Sequence, residues 1–493
     1  MADAGGSSRR RLLKIGAGLG LTSIAAALAG CGEAQIVEKE VVKIVTQEVA
    51  VEKVVTQIVE KEKIVEKPVE KIVTQIVEKE KIVEKIVTVE AAQPKLAQVT
   101  ITYGTWMGEI GTDQKELFDP FNKEFPHITI DGWQAPWGEY WTKIGTLIAS
   151  GKTPDVFGQS VAYIWDYAQK GLALNLQPMV RRDINPDEHY TLTWDIARYP
   201  VPAGGEMYAL PFRWVVSVLY FNTRLLDAAG VKWPDDTWTY INWEEAAARL
   251  TIKEGDKTTQ WGLRSYTGHT YLDARINSNG GDVLSPDFKQ CLLDQPKSLE
   301  MVQAAADLVR NGLSPTTTQV QGLGVGAFAT GRVAMDIDGS YAISGFLKAT
   351  DLPFEIALVP AGPVKRVSYG GPDSYAISAK TPRFEEAWEL VKFSVGDKRG
   401  YASYGIGAVP ALRKAAESPE WLKPGKIASY GKILESHDYL KGADFSSQWI
   451  QWRATVMNNE LEPAFLGEKS VPDAVASATK AIQEILDKVI RVD

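Results

Sequence analysis

Ala209-Leu210-Pro211-Phe212-Arg213-Trp214-Val215-Val216-Ser217-Val218-Leu219-Tyr220-Phe221-Asn222 decides the fold. It is apolar and rich in β-branched and aromatic residues, so it reads as one strand. Its length exceeds the usual five or so residues of a strand, so it reads as a strand crossing from one lobe to another. A helix carrying Leu225, Leu226 and Ala229 follows and stops at Gly230. A second candidate crossing is Tyr369-Gly370-Gly371-Pro372-Asp373-Ser374-Tyr375-Ala376-Ile377-Ser378. Its paired glycines tolerate the backbone angles that a hinge must absorb.

Upstream, strand and helix patterns alternate. Val99-Thr100-Ile101-Thr102-Tyr103-Gly104 reads as a strand, Asp113 to Phe125 as a helix ended by Pro126, and Ile128-Thr129-Ile130 as a second strand. Thr153-Pro154-Asp155-Val156-Phe157 is a third, followed by Gly158-Gln159-Ser160 and a helix from Ile164 to Lys170. Such alternation predicts a largely parallel sheet, with ligands held beyond the carboxyl ends of its strands. Trp106, Gln159 and Ser160 fall there. Downstream, Phe384 to Val395 reads as an amphipathic helix, and the chain beyond it as mostly helical.

The first ninety residues differ in kind. Ser8-Arg9-Arg10-Arg11-Leu12-Leu13-Lys14 precedes a small apolar run ending in Leu28-Ala29-Gly30-Cys31, the pattern of an export signal rather than a membrane span. The basic cluster resembles a twin-arginine signal, with Leu12 where that pattern prefers Phe. Leu-Ala-Gly-Cys resembles a bacterial lipobox, which implies cleavage before Cys31 and a diacylglycerol on its sulfur. Residues 32–96 use almost only Ile, Val, Glu, Lys, Thr and Gln, and the eleven residues Gln57–Lys67 recur unchanged at Gln75–Lys85. No core can form from such a composition. Apolar positions seven apart, Val37, Ile44, Val51, Ile58, Val65 and Ile72, give a coiled-coil pattern, which Pro68 interrupts. The stalk is therefore either a coiled coil or an extended tether. Fully helical, it would reach on the order of 75 Å at 1.5 Å per residue.

About 400 residues follow the stalk, enough for two lobes. The net charge of −8, without a basic patch beyond the signal, argues against nucleic acid as a partner. If Cys31 carries lipid, Cys291 stands alone and no disulfide is expected. His127, His189, His269 and His437 are too scattered for a metal site, and no nucleophile elbow, Walker loop or dinucleotide fingerprint occurs. Gly322-Leu323-Gly324-Val325-Gly326 does not follow a strand-to-helix pattern. No cofactor is expected. Fifteen tryptophans are the compositional excess. Indoles are either core or binding surface, and in an exported protein the flat faces of sugars are a natural partner for them. Trp106 and Trp214, at strand ends, are read as lining the cleft rather than the core. Trp133, Trp137 and Tyr140 stand between these readings, whereas Trp449 and Trp452, on a helix, read as core. Arg213 either binds an anionic group or pairs with an acid across the cleft. Asp338 and Asp373 are candidate polar contacts, with turn residues as the alternative.

In order along the chain stand Leu-Pro with Leu-Tyr-Phe-Asn-Thr-Arg-Leu-Leu, then Thr-Trp, then Phe-Ala-Thr-Gly-Arg-Val-Ala-Met with Asp-Gly-Ser. Tyr-Ala-Ile-Ser before Ala-Trp-Glu-Leu-Val-Lys-Phe closes the set. Together they resemble the family 1 extracellular solute-binding proteins, the maltose-binding-protein type that serves ABC importers. The resemblance implies a two-lobed α/β fold of the type II periplasmic-binding-protein kind over 97–493. One lobe would take about 97–215 and 370–410, the other about 217–368 and 411–493. It implies a receptor and not an enzyme, taking a sugar or oligosaccharide between its lobes and delivering it to an ABC permease from the outer face of the membrane. Carried over by position, the ligand contacts are Trp106, Gln159, Ser160, Tyr163, Arg213, Trp214, Asp338, Ser340, Tyr341, Gly371 and Asp373. Maltose binders have Trp and Asp where this chain has Gln159 and Ala162, which points away from maltose itself. A polyamine, a phosphodiester or another polar solute is the alternative ligand, and a surface glycoside hydrolase the alternative function.

Overall fold

The computed structural model describes residues 96–488, apart from 108–109, 201–203, 266–270, 322–325, 423–426 and 443–447. The export signal, Cys31, the stalk, His269 and most of the glycine-rich segment at 322–326 lie outside the described residues.

The strands that build the core are β1 (Val99–Thr105), β2 (Ile128–Gln134), β3 (Val156–Ser160), β4 (Leu210–Asn222), β5 (Ile252–Glu254), β6 (Lys257–Leu263), β7 (Val333–Gly339), β8 (Phe354–Ala357), β9 (Ser368–Ile377) and β10 (Val409–Pro410). They run in the order β2-β1-β3-β9-β4-β7-β6-β5, with β8 and β10 added onto β4. β1 pairs parallel with β2 and β3, as the alternating pattern requires. The two long strands are antiparallel to each other, to β3 and to β7, so the sheet is mixed. β4 is the pivot. Its residues 210–216 pair with β9, whereas its residues 217–221 pair with β7. One continuous strand thus belongs to two half-sheets, as its length foretold, and β9 returns beside it. This is a two-lobed mixed α/β fold. A third passage follows, where Val409 and Pro410 of β10 sit against Trp214 and Arg213.

Helices cover both faces. α1 (Trp137–Ala149) and α2 (Val161–Gln169) flank β3. Ser160 caps α2, its Oγ accepting from the Ala162 N–H at 3.4 Å. That frees a donor from orphanhood at the helix start. In the second lobe lie α3 (Tyr240–Leu250), α4 (Tyr271–Ser278) and α5 (Pro296–Arg310), and α6 (Phe384–Val395) returns to the first. The Thr239 side chain and Asn242 form a capping box that starts α3. α6 buries Ala387, Trp388, Leu390, Val391 and Phe393 against Ile101, Tyr103, Phe212 and Tyr375, which closes the core of the first lobe. Among the described residues, no helix is long and apolar enough to cross a membrane.

His189 is 3 % exposed beside the third passage, its ring 5.0 Å from Trp194 and its Nδ1 without a partner. Burial pushes its imidazole down to about 4. The unfolded chain takes up this proton below pH 6.5 while the folded chain does not, so stability falls as pH drops from 6.5 toward 4. Urea titrations at pH 7 and pH 4.5 should show a smaller loss in His189→Gln than in wild type. Equal losses would remove His189 from the acid response.

Candidate functional site

The carboxyl end of β3 brings a polar row across three strands. Ser160 pairs with Asp373 of β9, and Asp373 pairs with Arg213 of β4. The Arg213 Nε donates to Asp373 Oδ2 at 2.9 Å, and its Nη1 donates to the Tyr404 carbonyl. Both side chains are about nine-tenths buried. Burial pushes the Asp373 carboxyl up, and the Arg213 guanidinium opposes that shift. Of the two readings of Arg213, pairing with an acid is the one the structure has. The Arg213 guanidinium thus ties β4 to β9 through Asp373 and to the turn Tyr401–Tyr404, ahead of β10, through the Tyr404 carbonyl.

One residue along, Gln159 of β3 faces Ser374 of β9. Gln159 is 1 % exposed and Ser374 fully buried, and neither the amide atoms of the one nor the hydroxyl of the other has a partner. Buried polar groups are costly to leave unpaired, and such pairs concentrate at functional positions.

Beside this row stands an aromatic cluster. Trp106, on the bend after β1, lies 5.1 Å from Trp137, Tyr140 and Trp141 between ring centroids. Its indole lies over Gly158, where any Cβ would come within 2.9 Å of the ring. Tyr163 of α2 stacks on Trp141 at 3.5 Å and 13°. Burial pushes the Tyr163 hydroxyl up to about 12, so it stays a neutral donor. Trp137 is the open member, 43 % exposed. Trp141 escaped the sequence reading. The spacing Trp137 to Trp141 (i, i+4) puts both indoles on one helix face, and that signal was available.

On the second lobe, Asp338 at the end of β7 accepts from Arg264 Nη2 at 2.8 Å, from the Tyr341 hydroxyl at 3.0 Å and from the Gly339 N–H at 2.7 Å. Arg264 also donates to Asp336 at 2.8 Å. Burial pushes the Asp336 carboxyl up to about 7. Tyr341 is 49 % exposed. Arg264 and Asp336 were not foreseen, because nothing in their local sequence separates them from ordinary strand residues.

Three expectations are corrected. Trp214 has no exposed surface; its indole packs against Tyr190 and His437 in an apolar cluster. Within a strand covered on both faces, an aromatic side chain is core whichever way it points. Ser340 is fully buried and its Oγ accepts from the Val216 N–H at 3.2 Å, so it braces the crossing strand. Gly371 is buried where a Cβ would meet Val161 at 2.7 Å, so its role is close packing of α2 on β9.

The family profile of bacterial extracellular solute-binding proteins matches residues 100–399, more than half of the chain. The chain belongs to this family. Its members are extracellular binding proteins of transporters, not enzymes. A relative named as a binding protein in Brucella abortus (strain 2308) is 25 % identical over 399 residues, 78 % of this chain and 92 % of its own. Among solved structures, an ABC substrate-binding protein of Listeria monocytogenes in complex with cycloalternan superposes with a TM-score of 0.69 at 19 % identity. That alignment covers 79 % of this chain and 99 % of the other. The GacH receptor of Streptomyces glaucescens, solved unliganded and with acarbose, gives 0.67 at 22 % identity, covering 80 % and 100 %. At these identities the solved structures share the fold. Among the described residues of this solute-binding protein, no cluster of three or more His, Cys, Asp or Glu is placed to hold a metal ion.

Proposed function

We propose that this solute-binding protein captures an uncharged sugar or oligosaccharide between its lobes, by hinge closure about β4 and β9. One observation carries the reading. The charged side chains at the site are already matched among themselves, Arg213 with Asp373 and Arg264 with Asp336 and Asp338. What remains to offer a ligand is an aromatic surface, Trp106, Trp137, Trp141 and Tyr163, while Gln159 and Ser374, unpaired but buried, become polar contacts only when the lobes open. Flat C–H faces flanked by hydroxyls suit that combination. A polyamine needs unmatched carboxylates and a phosphodiester needs unmatched cations. The Listeria and Streptomyces proteins, solved with cycloalternan and acarbose, support the same ligand class.

The finer features rest on the sequence. Twin-arginine-like export, lipid on Cys31 and a stalk over 32–96 would hold the receptor at the outer membrane face, near a permease that accepts the ligand from the closed form. Ligand contacts are assigned to Trp106, Gln159, Tyr163, Asp338 and Tyr341, with Ser160 and Asp373 at their side. The lobes fall at about 97–215 with 370–410, and at about 217–368 with 411–493.

A thermal-shift screen of neutral mono- and oligosaccharides tests this, since a ligand bound only by the folded state raises the melting temperature. In Trp137→Ala the affinity for the best sugar should fall about tenfold or more, as for a stacking anchor worth ~1.5–2 kcal/mol. Its ligand-free melting should fall much less than for a fully buried tryptophan, because Trp137 is 43 % exposed. A screen in which polyamines or phosphodiesters shift the melt and no sugar does would refute the reading.

A further inference from the structure

Among the contacts that join the lobes away from the shared strands is an aromatic pair. Trp165, on α2 of the first lobe, is 5 % exposed. Its ring lies 5.6 Å from that of Phe288, at 61°. Phe288 belongs to the second lobe, on the turn between α4 and α5. The turn is built to hold its shape. Ser285 N–H donates to the Gln290 carbonyl at 2.9 Å, and Phe288 N–H donates to the Ser285 carbonyl at 2.8 Å. The Ser285 Oγ accepts from the N–H groups of Lys289 and Gln290 at 3.1 and 2.9 Å. The far C-terminal helix secures the base: Gln483 accepts from Cys291 N–H at 3.0 Å and donates to the Lys289 carbonyl at 2.9 Å. Within this frame Phe288 has φ +55, a left-handed conformation that bulky residues rarely adopt. The strain aims an aromatic ring outward, onto the other lobe.

The seat is well chosen for coupling. α2 begins at the candidate site, with Ser160 as its cap and Tyr163 in the aromatic cluster, and reaches Trp165 half a turn later. Trp165 and Phe288 also join the one apolar cluster that gathers Val161 and Ile164 of α2 with Tyr271 and Leu272 of α4.

We propose that Phe288 is a closing latch: its ring seats on Trp165, holds the two lobes together and sets ligand affinity without touching the ligand. The effect on affinity rests on the receptor reading above; the effect on lobe closure does not. The test is made on the full chain without sugar. Nitroxides attached through p-acetylphenylalanine at the exposed positions Lys152 and Asp256, one in each lobe, report the lobe-to-lobe distance by pulsed dipolar spectroscopy. Wild type should show a short-distance population. Phe288→Asn keeps the left-handed turn, since Asn tolerates it, but removes the ring. It should reduce the short-to-long ratio about five- to tenfold, in line with an aromatic pair and its buried area. Phe288→Tyr should restore the ratio, and Trp165→Phe should lower it less than Phe288→Asn does. A wild type without the short population, or a Phe288→Asn distribution that superposes on it, overturns the latch. A sugar screen without hits, alongside a shifted distribution, would sink the receptor reading and leave the latch standing.

Discussion

Trp214→Ala is expected to destabilise the folded chain by about 3–5 kcal/mol, the range for deleting a buried large aromatic side chain. Trp214 is fully buried, at 0 % exposure, and contacts Tyr190 edge-on and His437 at a tilt. Its indole Nε1 has no partner, so Trp214→Phe loses volume but no hydrogen bond and should cost roughly half as much or less. Chemical denaturation of both variants measures this. The outcome separates two roles for a residue that the sequence placed in the cleft. A variant that keeps wild-type stability and loses only sugar affinity would return Trp214 to the cleft.

Arg213→Met is expected to cost a similar amount, about 3–5 kcal/mol at neutral pH, because it leaves a buried carboxylate alone. Asp373 is then charged, 8 % exposed and without its cation. Burial already raises the Asp373 carboxyl, and removing Arg213 raises it further. In the variant the folded chain therefore binds a proton at Asp373 that the unfolded chain does not, over a window that opens near pH 4 and extends upward. The variant's deficit shrinks as pH falls through that window. Denaturation at pH 7 and pH 5 reads the sign. Arg213→Met combined with Asp373→Leu should recover most of the loss, as a matched apolar pair often does. A deficit that is constant with pH, or a double variant no better than the single, would mean that the Tyr404 contact, not the ion pair, is what Arg213 supplies.

Much of the fold was legible because it is written in local pattern. The thirteen-residue strand Leu210–Asn222 and the helix Phe384–Val395 are where apolar run and amphipathic period place them. β2 extends beyond the expected Ile130 to Gln134, which takes Trp133 out of a loop and into a strand. Strand ends are set by pairing with β1 through Gln134, and no local residue announces that partner. The site was legible in part. Gln159, Ser160, Arg213 and Asp373 do converge, although the third strand runs Val156–Ser160 rather than Thr153–Phe157, so that Gln159 and Ser160 stand in the strand and not in a loop after it. Trp141 lies in the cluster with Trp106 and Tyr163, and only its helical spacing could have shown it.

The sequence alone carried the resemblance to the family, the crossing strands and the excess of aromatic side chains. The strands and the aromatic excess follow from apolar runs and composition, which act over a few residues; the family likeness rests on the ordered set of motifs. Tertiary structure decided which polar residues are spent. Arg213 and Asp373 lie 160 positions apart and neutralise each other only because two crossing strands run antiparallel in this register. The same pairing buries Trp214, and the pairing of β9 with β3 leaves Gln159 facing Ser374. Charge, burial and partnership at a site are properties of contacts between distant segments, and a chain read residue by residue does not contain them.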